Sequence, residues 1–263
     1  MNEDEKYLFD LNGYLLLKNV LTVAEVAELN AGIDHHREQL QEREGSLAGG
    51  SKALEGTSHR KDLGGMLAWE RPFCEPFRRL LIHERIKPFL EEILGRGYRL
   101  DHGPGLIAMD AGCEGGTLHG GGIERADISE AYFFKGGRIY TGLTVVEYLL
   151  ADEGPGEGGV AVVPGSHKAN LACPDAMKHW EKHQEHVLEL NGQAGDVVIF
   201  TETLTHGTLP WTGQHERRAL LYKFSPGSVA YGGGAHDISY AAYIEDMSEE
   251  ERAVMEAPHL RRG

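Results

Sequence analysis

Apolar residues follow two rhythms along this chain. Up to about residue 97 they fall largely at helical spacing; beyond it they form short runs cut by glycines. In the first part, Tyr14 to Leu17 is an apolar run behind an Asn12-Gly13 turn signal and predicts a buried strand. Thr22-Val23-Ala24-Glu25 has the form of a capping box, in which the threonine hydroxyl and the glutamate carboxylate satisfy each other's backbone N–H. The helix it opens is expected over about 23–43, with Val26, Leu29 and Ile33 as its apolar stripe and Gly45 beyond its end. Residues 45–65 are rich in Gly, Ser and Lys and read as a loop long enough to serve as a lid. Pro76 to Leu94 predicts a helix broken near Pro88 and stopped by Gly95.

The second part predicts strands at 98–101, 105–110, 116–119, 138–150, 159–163, 186–190, 196–200, 203–208 and 218–225. Glycine-rich turns separate them, the grammar of an antiparallel sandwich or barrel. A second capping box, Ser248 to Glu251, opens a short helix to about residue 256. No linker or internal repeat interrupts the chain. The expectation is one domain over 1–263: a helical N-terminal part (1–97), a β core (98–225) and a C-terminal extension (226–263).

Composition narrows the function classes. With 41% hydrophobic and 25% charged residues in 263, the chain has the make-up of a folded globular protein. Lys+Arg 26 against Asp+Glu 41 gives −15, which argues against nucleic acid or an anionic membrane as partner and leaves a small-molecule substrate. Cys74, Cys113 and Cys173 are odd in number and widely spaced, which suggests free thiols in a reducing compartment. The acidic start, MNEDEKYLFD, does not resemble a signal peptide, and no apolar run approaches the roughly 20 residues of a membrane span. A cytoplasmic location is the expectation.

Of 14 histidines, two occupy distinctive settings. His119 ends a short strand that runs into Gly120-Gly121-Gly122, where the backbone can approach closely. His206 is carried by the strand expected over 203–208, which follows Gly195-Asp196-Val197-Val198-Ile199-Phe200 and a turn. Each alone reads equally as a satisfied sheet histidine. Together on a double-sheet fold they suggest two ligands of one metal, and imidazole suits Fe, Zn, Cu or Ni. Arg217 and Arg218 open a strand 11 and 12 residues later, and either guanidinium could grip a carboxylate with its fork. Chemistry alone does not rank the pair.

These residues, with Asn12-Gly13-Tyr14-Leu15-Leu16-Leu17, Leu150-Ala151-Asp152, Gly158-Gly159-Val160, Val163-Pro164-Gly165-Ser166-His167-Lys168, His206-Gly207 and Arg217-Arg218-Ala219-Leu220, resemble the phytanoyl-CoA dioxygenase-like family of Fe(II)/2-oxoglutarate oxygenases over nearly the whole length. The resemblance implies a mainly β fold with flanking helices around a double-stranded β-helix, a cupin-like jelly roll. It implies iron bound by His119 and His206, and 2-oxoglutarate held by Arg217 rather than Arg218. It makes His167 part of a structural turn. The implied reaction consumes O2, decarboxylates 2-oxoglutarate to succinate and hydroxylates an unactivated C–H bond of a small molecule.

One position departs from the family. Its His-x-Asp pattern would put a carboxylate at 121, and this chain has Gly121. Three replacements are open: a carboxylate from Glu124, Asp127, Glu130 or Glu147; water; or chloride, as in the iron/2-oxoglutarate halogenases with Gly or Ala there. Halogenation is therefore the alternative function, and a non-catalytic barrel-type binding protein a second. A zinc hydrolase or isomerase is a further rival, but it would want a third protein ligand and a general base. Around the site, Lys52, His59, Arg60 and Lys61 are candidates to close over an anionic substrate, and Tyr132, Phe133, Phe134 and Tyr140 to line it or fill core.

Overall fold

Antiparallel pairing organises the chain beyond residue 97, as the run-and-glycine pattern predicts. The computed structural model describes residues 1–121, 131–231 and 241–259. Its strands are β1 (Tyr14–Leu17), β2 (Gln41–Glu42), β3 (Lys61–Gly64), β4 (Arg99–Met109), β5 (Gly116–His119), β6 (Tyr132–Lys135), β7 (Arg138–Thr141), β8 (Thr144–Leu149), β9 (Gly159–Val162), β10 (Leu188–Glu189), β11 (Val197–Thr201), β12 (His206–Leu209) and β13 (Arg217–Ser225). A seven-stranded sheet runs β1-β11-β8-β13-β4-β3-β2, and a four-stranded sheet runs β10-β9-β12-β5. The mainly β fold with flanking helices and a double-sheet, jelly-roll core is borne out.

Period-two alternation gives the large sheet two buried faces. Val197 and Ile199 of β11, Val146 and Tyr148 of β8, and Leu220, Tyr222 and Phe224 of β13 pack with the helices. Their alternates Val198, Phe200 and Val145 pack toward the small sheet, with Val160 and Val162. Burying each such side chain contributes about 1.5–3 kcal/mol. This parity decides which polar residues of the same strands face the space between the sheets.

The helical part differs in detail. The helix predicted over 23–43 ends at His35, and its continuation is a 3-10 turn (Arg37–Gln39) followed by β2. The Thr22–Glu25 capping box forms as expected. Residues 1–13 hold an unforeseen helix, Glu3–Asn12, capped reciprocally by Asn2 and Glu5 and closed by Gly13 at φ 82°. The helix expected over 76–94 is two, Cys74–Arg79 and Lys87–Leu94, and Pro88 lies in the first turn of the second rather than at a break. Proline is well accommodated there because the first-turn N–H groups have no intrahelical acceptor. Ser248 caps Glu249–Val254 as expected. The three cysteines are free.

Candidate functional site

The two sheets enclose a cavity of about 470 Å³. His119, His206 and Arg217 all line it. β5 and β12 pair so that His119 and His206 are direct cross-strand partners, their ring centroids 4.2 Å apart. His206 is buried and packs against Phe200, while the His119 side chain is 60% exposed at the mouth. The His206 Nδ1 lies 2.7 Å from the Leu204 carbonyl oxygen. A carbonyl only accepts, so Nδ1 carries the proton and a neutral ring turns the Nε2 lone pair outward. Burial pushes this imidazole down to about 4, so the ring is neutral near pH 7.

Glu202, four residues before His206, completes the cluster. Its Oε1 lies 3.8 Å from His119 Nε2 and 3.7 Å from His206 Nε2, and its Oε2 accepts from Lys223 Nζ at 3.1 Å. Donor atoms of His119, Glu202 and His206 all fall within 4.8 Å of one another. Glu202 is not among the carboxylates that the sequence points to, since it lies 83 residues beyond His119 along the chain. Of the acids considered there, Glu124, Asp127 and Glu130 lie outside the described residues. Glu147 does not approach the histidines; it pairs with Arg217.

Strand parity sends the two arginines to opposite faces of the sheet. Arg217 shares the inward face of β13 with Lys223 and reaches the cavity. Arg218 points to the helix side and binds Asn30, Asp34 and Glu216. Arg217, however, is not free. Its Nη2 donates to Glu147 Oε1 at 2.7 Å and its Nε lies 2.8 Å from Glu153 Oε1, with all three side chains buried. Its Nη1 faces the Met109 sulfur at 3.7 Å. Burial raises both carboxyls and Arg217 opposes it; Glu153 comes up to about 7. A group whose value rises from about 4.5 unfolded to about 7 folded adds stability that is full below 4.5 and lost as pH rises through 7. Glu153→Gln removes this titration, so the variant should gain on the wild type by on the order of 2–3 kcal/mol between pH 5 and pH 8. Thermal melts across that range check it; a pH-independent difference would mean that Glu153 does not titrate within it.

Other expectations sort clearly. His167 is buried with its Nε2 3.1 Å from the Asp10 carbonyl oxygen, a structural role away from the cavity. Segment 45–65 is docked rather than loose: Leu47, Leu54, Thr57 and Ser58 make backbone hydrogen bonds to residues 112–117, and its end is β3. From it, Arg60 lines the cavity, whereas His59 pairs with Glu114 and Lys61 with Asp110. Lys52 is exposed. None of Tyr132, Phe133, Phe134 and Tyr140 lines the cavity, and of the four Tyr132 packs, partly buried, against the main core. They form the β6–β7 hairpin, with Phe133, Phe134 and Tyr140 exposed and Tyr132 donating to Asp10.

Comparison with known proteins agrees with this architecture. Residues 127–219 match the family model described as Phytanoyl-CoA dioxygenase (PhyH). That segment takes in Glu147, Glu153, Glu202, His206 and Arg217 and begins after His119. Among solved structures, HygX from Streptomyces hygroscopicus with nickel, 2-oxoglutarate and hygromycin B bound is 20% identical. The TM-score is 0.69, and the match covers 88% of this chain and 89% of that one. SnoN, an α-ketoglutarate-dependent epimerase from nogalamycin biosynthesis, is 18% identical (TM-score 0.61; 86% and 83% covered). SnoK, a carbocyclase from the same biosynthesis, is 14% identical (TM-score 0.63; 94% and 91% covered). A comparison with curated proteins returns no match. No helix among the described residues is long and apolar enough to cross a membrane. The phytanoyl-CoA dioxygenase model thus matches the part of the chain from residue 127 to 219, and the double-sheet core is the fold that HygX, SnoN and SnoK share with it.

Proposed function

We propose that this chain is a non-haem Fe(II)/2-oxoglutarate-dependent oxygenase that hydroxylates an unactivated C–H bond of a small molecule. The observation that carries the reading is the meeting of His119, His206 and Arg217 in one cavity from three strands of two sheets. The donor set fits a divalent metal: two imidazole nitrogens and a carboxylate oxygen within 4.8 Å of one another. The cavity also offers a place for the far carboxylate of 2-oxoglutarate. Arg217 Nη1 meets only a thioether there, and Arg60 stands near enough for the two guanidinium charges to repel. Arg60 Nε is buried and, although 3.0 Å from Asp62 Oδ1, lacks hydrogen-bonding geometry. A carboxylate between the two arginines would relieve that repulsion.

Bound iron would supply the oxidising power to break a C–H bond as 2-oxoglutarate and O2 become succinate and CO2. The protein's part is to orient and enclose. β5 and β12 fix the two imidazoles; Phe200, Val145 and Val160 keep the inner end apolar; Arg43, Arg60 and Lys223 continue into an adjoining groove, a path for a polar or anionic substrate. SnoN is described as an epimerase and SnoK as a carbocyclase, so hydroxylation is the finer part of the proposal. Chloride comes second in this reading, because Glu202 Oε1 lies 3.8 and 3.7 Å from the His119 and His206 Nε2 atoms and its negative charge would repel an anion there.

The test is an anaerobic titration of Fe(II) and 2-oxoglutarate into the protein, following the weak visible charge-transfer band of the chelate. Wild type should show the band, His206→Ala and His119→Ala should not, and chloride should leave it unchanged. A chloride-dependent shift would favour halogenation. Absence of both band and metal affinity in the wild type would favour a binding protein, and zinc affinity without the band a hydrolase.

A further inference from the structure

Three atoms of metal-ligating type face one another between β5 and β12. His206 Nδ1 is committed as a donor to the Leu204 oxygen at 2.7 Å, so its Nε2 presents a lone pair when the ring is neutral. His119 repeats the arrangement more loosely, with Nδ1 3.4 Å from the Thr117 oxygen. Into the space between the two Nε2 atoms comes Glu202 Oε1, at 3.7 and 3.8 Å. The distances exceed those of a hydrogen bond, so no proton bridges the groups tightly. Lys223 Nζ engages only the other oxygen, Oε2. With both rings neutral, a buried carboxylate oxygen turned toward their two Nε2 atoms is unfavourable unless a cation lies among them. Ligands about 2.1 Å from one metal stand roughly 3.0–3.6 Å apart, a few tenths of an ångström closer than these atoms do.

The glycine at 121 belongs to the same arrangement. Gly121 N donates to the Thr203 oxygen at 2.6 Å, and a Cβ at 121 would meet Thr205 Oγ1 at 2.1 Å. A Cβ at Gly120 would lie 2.6 Å from the carbonyl oxygens of both Glu202 and Leu204. The chain leaving His119 therefore lies directly on segment 202–205. Where a side chain at 121 would stand, that segment stands instead, and it brings its own carboxylate.

We propose that Glu202 is the carboxylate ligand of this centre, in place of the residue that Gly121 lacks. The inference rests on the metal-centre reading of His119 and His206. It makes the centre a facial set of two histidines and one glutamate, with the glutamate four residues before the distal histidine on the same side of the cavity. Lys223, by holding Oε2, is a positioning residue that leaves Oε1 as a single donor.

The experiment uses Co(II), a redox-stable reporter of ligand type through its visible spectrum. Wild type, Glu202→Gln, Glu202→Asp and His206→Ala are titrated, and each is melted with and without the metal. Its own metal-free melt shows whether a variant is folded. The expected result is at least about 100-fold weaker binding in Glu202→Gln, an altered cobalt spectrum, and loss of the metal-induced rise in Tm. Glu202→Asp, which keeps a shorter carboxylate, should retain part of each. If wild type and Glu202→Gln bind cobalt equally with the same spectrum while His206→Ala does not bind, Glu202 is not a ligand and the centre stands without it. If wild type itself binds no metal, the metal-centre reading fails, and the inference with it.

Discussion

Arg217→Ala should destabilise the fold by about 3–5 kcal/mol before any effect on co-substrate is considered. The guanidinium is buried between Glu147 and Glu153, both also buried, and removing it strands two carboxyls without a cation. Burial has already raised both, so in the variant they would take up protons rather than ionise, which limits but does not remove the cost. Chemical denaturation near neutral pH reads the loss directly. A variant within about 1 kcal/mol of wild type would mean that the buried triad is not the arrangement in solution. The size of this effect matters for function, because failure of Arg217→Ala to bind 2-oxoglutarate could reflect a collapsed cavity wall. Arg217→Met combined with Glu147→Gln and Glu153→Gln removes the charges together. It should recover most of the stability, since a buried ionic group exchanged as a whole is far cheaper than a broken one. That triple variant should be folded and still fail to bind 2-oxoglutarate.

The triad shows what a linear reading could and could not reach. Arg217 is legible because it opens an apolar strand at a fixed distance from a His-Gly pair. Its partners lie 70 and 64 positions away and meet it only once β8 and β13 pair. Yet Glu147 carries a visible signal: an acid inside the run Thr144–Leu149, buried at every position, must find a cation. Glu202 was hidden for a related reason. Glu202 is far from Gly121 along the chain, whereas β5–β12 pairing makes the turn before His206 the nearer neighbour in space. In the fold, apolar runs located most strands, and glycines misled where they do not turn the chain. Gly103-Pro104-Gly105 suggests a break between two strands, but β4 continues through it, with irregular register against β13. The first helix was missed because its amphipathic signal is short and its capping box, Asn2 and Glu5, lies at the start of the chain.

Restoring the family's spelling with Gly121→Asp should weaken the protein rather than repair it. Gly121 sits at φ 83°, a left-handed conformation that costs a residue with a Cβ about 1–2 kcal/mol. That Cβ would also overlap Thr205 Oγ1 at 2.1 Å, and Thr205 is itself fully buried. The combined penalty should be about 2–4 kcal/mol, read as a lower Tm in metal-free protein. Thr205→Ala separates the two causes. It removes the hydroxyl in contact and should return part of the stability of Gly121→Asp, leaving the backbone strain. The same substitution also tests where the carboxylate must come from. If a side chain at 121 could reach the centre, Gly121→Asp would rescue metal binding in Glu202→Gln. The packing predicts no rescue, because the chain at 120–121 is held against the backbone of 202–205 and an aspartate there has to displace the segment that carries Glu202. Rescue would show that the loop after His119 can reposition, and that this centre accepts its carboxylate from either side.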